Sequence, residues 1–486
     1  MDSSDTVTLP VRFQTIADAP AADAVFASLY ADARPAAWLD SNAPGDALSR
    51  FSLMADVTDP LSYVVRYRSQ SRELQIIRAS GLSVVHQSVF DFLKAALKQE
   101  QVQESNLPFP FRGGFLGYFG YELKGECDGR YAHESALPDA YFLHVHRFLA
   151  FDHETATCFV VAVGDTGDEE RWLNETAGAV RTVRGRAVDA PKKQTDNVKF
   201  SLDQTREAYV QCVSQALEEI RAGESYQVCL TNRIRVAFSG DPLGLYFLLR
   251  QRNPSPFSAF LRTNDFCILQ TSPERFLSID AAGVVEARPI KGTIHRSHDP
   301  VDDARLANDL ARSDKNRAEH MMIVDVLRND LGRVARFGSV RVPDFMAIET
   351  RATVHHIVSS VRAQLSESHD AIDCIRAAFP GGSMTGAPKL RTMEIIDRLE
   401  TSARGVYSGA LGYLSLDGAV DLSIVIRTAV VADGSISIGV GGGVVATSDP
   451  QDEFDEAMLK GEVLMDAIRE HQSDGALPST VRAAPR

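Results

Sequence analysis

Two stretches of the chain place carboxylates and a lysine at helical spacing. In PQDEFDEAMLKGEVLMDAI (450–468), Glu453 and Glu456 are three apart and Lys460 follows Glu456 by four, so all three fall near one helix face. In NRAEHMMIVDVLRNDLGRV (316–334), Glu319 and His320 precede an apolar face of Met322, Val326 and Leu327. Each stretch alone reads as a solvated charged stripe. If Glu319 and Glu456 meet in space, they offer two oxygen ligands to Mg²⁺, which prefers oxygen and keeps several waters. The segment before 450–468, SISIGVGGGVV, carries Gly441, Gly442 and Gly443 near its end. Glycine weakens a strand, so a glycine run points to a close backbone approach, and its bare N–H groups can hold a carboxylate. A bulge or tight bend is the plain alternative.

Three shorter motifs carry further chemistry. RPIKGT (288–293) sets Lys291 between a strand end and a glycine. A turn lysine is usually solvated, but in a desolvated pocket it becomes a nucleophile. SPERF (272–276) offers Glu274 as a general acid or base if it is buried near a leaving group; otherwise it is a surface Glu beside Arg275. FPGGSMTGAPKLRTMEII (379–396) is a glycine-rich turn entering a helix, with Lys389 at its start, an anion site in principle. Its glycine and lysine spacing does not fit the Walker A loop, so ATP is not implied.

These motifs need a scaffold, and the hydrophobic pattern supplies an α+β one. LSYVVRYR (61–68) with RELQIIRA (72–79), and YFLHVHRFLAF (141–151) with TCFVVAV (157–163), read as two hairpins. Thr205 to Ala222 has helical spacing, stopped by Gly223, and SYQVCLTNRIRVAF (225–238) reads as a strand. Helical patterns recur at 303–313, 316–336, 386–400 and 453–470. Strand patterns recur at 264–279, 284–290, 410–416, 422–432 and 435–446, close enough in sequence to pair antiparallel. The organisation is an N-terminal region 1–184, a polar linker 185–199, a region 200–471 holding the motifs, and a frayed tail 472–486.

Composition narrows the class. The 486 residues include 51 Lys plus Arg against 65 Asp plus Glu, a net charge of −14 that disfavours nucleic acid and anionic membrane as partners. No apolar run approaches a membrane span, and the acidic start has no signal-peptide pattern. The six scattered cysteines form no C-x-x-C pair, which fits free thiols in a reducing cytoplasm.

Taken in order, SPERF, PIKGT, AEHMMIVDVLRNDLGRV, FPGGSMTGAPK, RGVYSGALGYLS, IRTAVV and GVGGGVVATSDPQDEFDEAMLKGE resemble the chorismate-utilising enzymes over about 205–470. That family holds anthranilate synthase component I, aminodeoxychorismate synthase component I, and the isochorismate and salicylate synthases. The resemblance implies a large antiparallel β-sandwich core flanked by helices. WLDSNAPGDALSRFSLMA (38–55) and PFRGGFLGYFGYEL (110–123) are similar to the family's amino region. There the resemblance implies a tryptophan pocket at Leu39, Ser41, Arg50 and Phe51, with Asp40 standing where a Glu or another residue is usual.

The same resemblance assigns roles. Glu319 and Glu456 would bind Mg²⁺, with Glu453 close by, and the metal would hold the ring carboxylate of chorismate. Tyr407 and Arg427, with the backbone at Gly441 and Gly443, would hold the enolpyruvyl carboxylate, and Lys460 would face the substrate. His356 would lie near the reacting ring, and Ser383 stands where other members use Thr. Members that add water at C2 carry a lysine where this chain has Gln227, and an amide is no base for water. PIKGT in place of the PIAGT of anthranilate synthases implies the branch that aminates C4, with Lys291 as nucleophile and Glu274 as acid. The implied partners are chorismate, ammonia, a glutamine amidotransferase subunit and a downstream aminodeoxychorismate lyase. The competing readings are anthranilate synthase component I and, from another class, a non-catalytic chorismate-binding regulatory subunit.

Overall fold

A computed structural model describes residues 6–184, 198–297, 299–351 and 354–473. Most of the expected linker (185–197) and tail (474–486) lies outside the described residues. Alternation of side chains explains the architecture. Along Arg147–Asp152 and Thr157–Val163, Phe148, Ala150, Phe159, Val161 and Val163 enter one apolar cluster, while Leu149, Phe151, Cys158, Val160 and Ala162 enter another. A strand buried on both faces needs a layer on each side.

Two 12-stranded sheets meet this need among the described residues. The first runs, in spatial order, Ile290–His295, Val354–Gln364, Val284–Arg288, Arg275–Ile279, Val420–Ile424, Ala410–Ser415, Gly114–Phe119, Ala140–Val145, Tyr63–Arg68, Glu73–Arg78, Gly81–His86, with Arg341–Thr350 beside Val354–Gln364. The second runs Ser201–Leu202, Gln227–Ala237, Ser435–Val445, Thr428–Ala432, Phe266–Ser272, Phe257–Arg262, Ala36–Asp40, Phe51–Asp56, Arg147–Asp152, Thr157–Val163, Val11–Ile16, with Gly386–Ala387 beside Gln227–Ala237. Pairing within both sheets is antiparallel. Strands from 1–184 and from 200–471 share both sheets: Gly114–Phe119 pairs with Ala410–Ser415, and Ala36–Asp40 with Phe257–Arg262.

One core, with Tyr118, Leu143, Phe148, Ile268 and Leu411, fills the space between the sheets. Helices Arg206–Arg221, Pro242–Arg252 and Pro450–Ser473 cover the outer face of the second sheet through Tyr209, Leu217, Tyr246 and Leu464. Helices Val89–Gln99, Asp314–Gly332 and Ala371–Ala378 cover the first through Phe90, Leu327 and Ile375. The result is a β-sandwich flanked by helices, an α+β fold. No helix among the described residues is long and apolar enough to cross a membrane, and all six cysteines are free thiols.

Several expected elements differ in detail. The 61–79 hairpin forms as Tyr63–Arg68 with Glu73–Arg78. The 141–151 run breaks at His146, so 140–145 belongs to the first sheet and only 147–152 pairs with 157–163. The 264–279 and 422–432 runs likewise split, at Pro273–Glu274 and at Val425–Arg427. At both breaks the chain passes from one sheet to the other.

Candidate active site

Those two crossings lie side by side: the Thr271 N–H and hydroxyl both donate to the Arg427 carbonyl at 3.1 Å, and the Ile424 N–H donates to the Glu274 carbonyl at 3.0 Å. Glu274 therefore sits at the seam of the sandwich, 7% exposed. Burial pushes its carboxyl up to about 7, moderated by the charge of Lys291 and a hydrogen bond from Ser383. Lys291 comes from the sheet edge Ile290–His295, where it pairs with Ile357, and Thr293 pairs with His356. Thr293 Oγ1 lies 2.8 Å from His356 Nδ1. Burial, aided by the charges of Arg351 and Arg427, pushes His356 down to about 4, so its ring is neutral at pH 7.

The opposite wall is the pair Gln227–Ala237 and Ser435–Val445, in which Gly441 lies across from Thr231 and Gly443 from Cys229. Gln227 is fully buried, and neither its amide nitrogen nor its oxygen has a partner among the described residues. An orphaned buried amide costs about 1–3 kcal/mol, so this one calls for a polar partner, a ligand group or an ordered water. A Cβ on Gly443 would stand 2.7 Å from Gln227 Nε2; glycine there leaves the amide its room. Gly439 serves Tyr407 in the same way, since a Cβ would come within 2.1 Å of the ring. Arg427 takes φ +51°, a left-handed conformation that turns the chain between sheets, and its Nη1 donates to the Lys460 carbonyl at 2.5 Å. Burial lowers the pKa of Arg427, with Tyr407 nearby opposing it.

Helix Pro450–Ser473 lies over these glycines. At the position of a Gly442 Cβ, Glu453 Oε2 is 2.9 Å away, Lys460 Nζ 3.5 Å and Glu456 Oε1 3.9 Å. Lys460 Nζ donates to the Gly441 carbonyl at 3.0 Å and pairs with Glu456 at 2.7 Å. Helix Asp314–Gly332 brings Glu319 within electrostatic reach of Glu456. Burial pushes Glu319 and Glu453 up, and the charge of Glu456 adds to both. Glu456 is raised by burial but held below the usual range by Lys460, with help from Lys315 and Lys291. The residues fit a hard divalent cation: carboxylate oxygen donors whose mutual repulsion is only partly offset by Lys460, Lys315 and Lys291, beside bare glycine backbone. As placed, the three carboxylates do not all converge to within 4.8 Å of one another, so they do not all ligate one ion directly.

The structure thus gathers Lys291, Glu274, Ser383, His356, Gln227, Tyr407, Arg427, Gly441, Gly443, Lys460, Glu319, Glu453 and Glu456 at one end of the sandwich. Lys389 is a correction: it donates to Asp330 at 2.6 Å and to the Ala378 carbonyl at 2.7 Å, so it closes a helix junction rather than offering an anion site. At the N-terminal segment, the Ser41 hydroxyl donates to the Pro256 carbonyl at 3.2 Å, Arg50 pairs with Asp152 at 2.9 Å, and Phe51 packs edge-on to Phe109. Leu39 packs on the inter-sheet core, and neighbouring Asp40 is buried against Arg250 at 2.7 Å and Tyr246 at 3.1 Å.

Sequence reasoning passed over four contributors. Lys315 is one turn before Glu319, a spacing that marks it in retrospect. Arg351 pairs with Asp46 at 2.6 Å beside His356, tying the N-terminal segment to the site. Arg404, fully buried, donates to Glu400 and to the carbonyls of Met384 and Cys229, both at 2.7 Å. Glu400 in turn accepts from the Thr231 N–H at 2.9 Å. This pair fastens the glycine-rich turn to the strand that carries Gln227.

Comparison with known proteins gives the class. Residues 51–466 match the model of the chorismate binding enzyme family. The chain is 45% identical over 452 residues to "Aminodeoxychorismate synthase" of Streptomyces griseus, covering 91% of this chain but only 62% of that protein's length. It is 38% identical over 430 residues to "Aminodeoxychorismate synthase component 1" of Salmonella typhimurium, covering 86% of this chain and 90% of that one. Its fold is similar to the crystal structure of anthranilate synthase component I from Streptococcus pneumoniae, with TM-score 0.73, 30% identity and coverage of 85% and 92%. The chain belongs to the chorismate binding enzyme family.

Proposed function

We propose that the chain aminates chorismate at C4, giving 4-amino-4-deoxychorismate, the activity of an aminodeoxychorismate synthase component 1. The observation that carries this reading is Lys291 beside the buried Glu274: burial raises that carboxyl to about 7, and the charge of Lys291 acts on it. A proton passes from the Lys291 ammonium to the Glu274 carboxylate, leaving a neutral amine and a neutral acid. The amine forms a bond to C2, both ring double bonds shift along the ring, and the C4–O bond breaks as Glu274 gives its proton to the departing hydroxyl, released as water. Ammonia then bonds to C4, both double bonds shift back, and the C2–N bond breaks, returning Lys291 as a neutral amine. Proton loss from the new ammonium completes the exchange.

Tyr407, Arg427 and the orphaned Gln227 amide bind and orient the substrate, whose carboxylates meet cationic and N–H donors in a dry site. Neutral His356, fixed by Thr293, lines the ring. Glu319 and Glu456, with Glu453 alongside, would hold Mg²⁺, which when bound supplies charge for the ring carboxylate. Ammonia comes from a glutamine amidotransferase component; the printed name "component 1" of the Salmonella relative supports this. A lyase acts on the product to release p-aminobenzoate for folate. The reaction is placed in the cytoplasm, where six free thiols stay reduced.

The test is product identity. Chorismate, Mg²⁺ and ammonium with the purified chain are expected to give an amino product that becomes p-aminobenzoate only on adding the lyase. Anthranilate and pyruvate formed without lyase would overturn the reading.

A further inference from the structure

Far along the first sheet from Lys291, a second group of ligand-type side chains converges. Among the described residues it is the one set of three whose ligand atoms all lie within 4.8 Å: Glu100, His144 and His146. Three different elements supply it. Glu100 ends helix Val89–Gln99, His144 lies in strand Ala140–Val145, and His146 is the residue at which the chain leaves the first sheet for the second. His144 and His146 are two apart, so strand geometry puts both rings on one side. Both are 1% exposed, while the Glu100 side chain is 30% exposed and opens the group to solvent.

We propose that Glu100, His144 and His146 form a Zn²⁺ site, separate from the catalytic carboxylates, that clamps helix Val89–Gln99 to the sheet crossing. Glu100 Oε2 lies 3.4 Å from His144 Nε2 and 3.1 Å from His146 Nε2. Ligands about 2.0–2.1 Å from a tetrahedral zinc stand about 3.3 Å apart, so these spacings are edges of such a site. A purely hydrogen-bonded cluster explains the contacts less well. It points both Nε2–H groups at one oxygen and leaves the buried Nδ1 of His146 bare, with the Asp59 carboxylate facing it. With zinc on the Nε2 atoms the protons move to Nδ1. Asp59 Oδ2 then stands 3.9 Å behind His146 Nδ1, where a small closure makes the outer carboxylate that metal-bound histidines commonly carry. Tyr63 stacks on His144 at 4.4 Å and Phe115 packs at 4.5 Å, holding that ring in place. Two imidazoles and one carboxylate select zinc over Mg²⁺, which prefers oxygen alone, and water fills the fourth position.

The experiment uses the full chain stripped with a chelator. Zn²⁺ titrated by calorimetry is expected to bind one equivalent and raise the thermal midpoint, and Co²⁺ to give the intense visible band of a four-coordinate nitrogen site. Glu100→Gln and His146→Gln are each expected to weaken Zn²⁺ binding at least about tenfold and abolish the band. Glu100→Gln changes a half-exposed side chain and so keeps the fold and the amination rate. A Glu319→Gln/Glu456→Gln variant is expected to keep the cobalt band, which separates this site from the catalytic one. No intense band in the unmodified chain, or a band and midpoint rise unchanged in Glu100→Gln, would overturn the proposal.

Discussion

Replacing Glu274 with glutamine is expected to make the protein more stable and nearly inactive, with a stability gain that grows with pH. The buried carboxyl is raised from 4.5 to about 7, with desolvation the largest cause. In the unfolded chain it ionises near 4.5, so between pH 4.5 and 7 the unfolded state sheds a proton that the folded state retains. Folding stability therefore falls across that window and is level above it. A rise from 4.5 to about 7 corresponds to about 3 kcal/mol. Glutamine keeps the shape and removes the titration. Urea denaturation of both proteins from pH 4.5 to 8.5 is expected to show no difference at the acid end and a Glu274→Gln advantage of about 3 kcal/mol above pH 7.5. Turnover is expected to fall about 10²–10⁴-fold, the usual cost of losing a general acid. A pH-independent difference, or a variant less stable at pH 8 than at pH 5 relative to the parent, would refute the placing of this carboxyl.

Three further experiments, using single and double substitutions, probe the rest of the site. Glu319→Gln with Glu456→Gln is expected to abolish the rise in thermal midpoint on adding Mg²⁺ and to lower kcat/KM by about 10²-fold or more. Gly439→Ala drives a methyl into the Tyr407 ring, which would be 2.1 Å away; a rise in KM for chorismate and a loss of about 1–3 kcal/mol are expected from steady-state kinetics and denaturation. Arg404→Met strands the buried Glu400 carboxylate and should cost about 3–5 kcal/mol in denaturation, while Arg404→Met with Glu400→Gln recovers part of it.

Much of the site is legible in the sequence because helices and strands carry local rules. The spacing of Glu453, Glu456 and Lys460 places them near one helix face, and in the structure they gather around Gly442. The glycines at 441–443 signal close approach, which Gln227 and Glu453 make. What alternation does not encode is a change of sheet. The runs 141–151, 264–279 and 422–432 keep their apolar pattern through the break, because both sheets bury both faces, so each reads as one strand. Only Pro273 and the left-handed Arg427 mark the seam where Glu274 and Arg427 sit. The Arg404–Glu400 pair was hidden for another reason: as an i,i+4 pair it reads as a surface ion pair, and its burial depends on strands more than 170 residues away.

Lys291 is the residue on which the account turns, and intact-mass analysis tests it most directly. The chain incubated with chorismate and Mg²⁺ in the absence of ammonia is expected to gain the mass of chorismate less one water, localised to Lys291 by peptide mapping, and to lose that adduct when ammonium is added. A chain that never gains this mass, together with a Lys291→Ala variant that keeps its full rate of 4-amino-4-deoxychorismate formation, would contradict it.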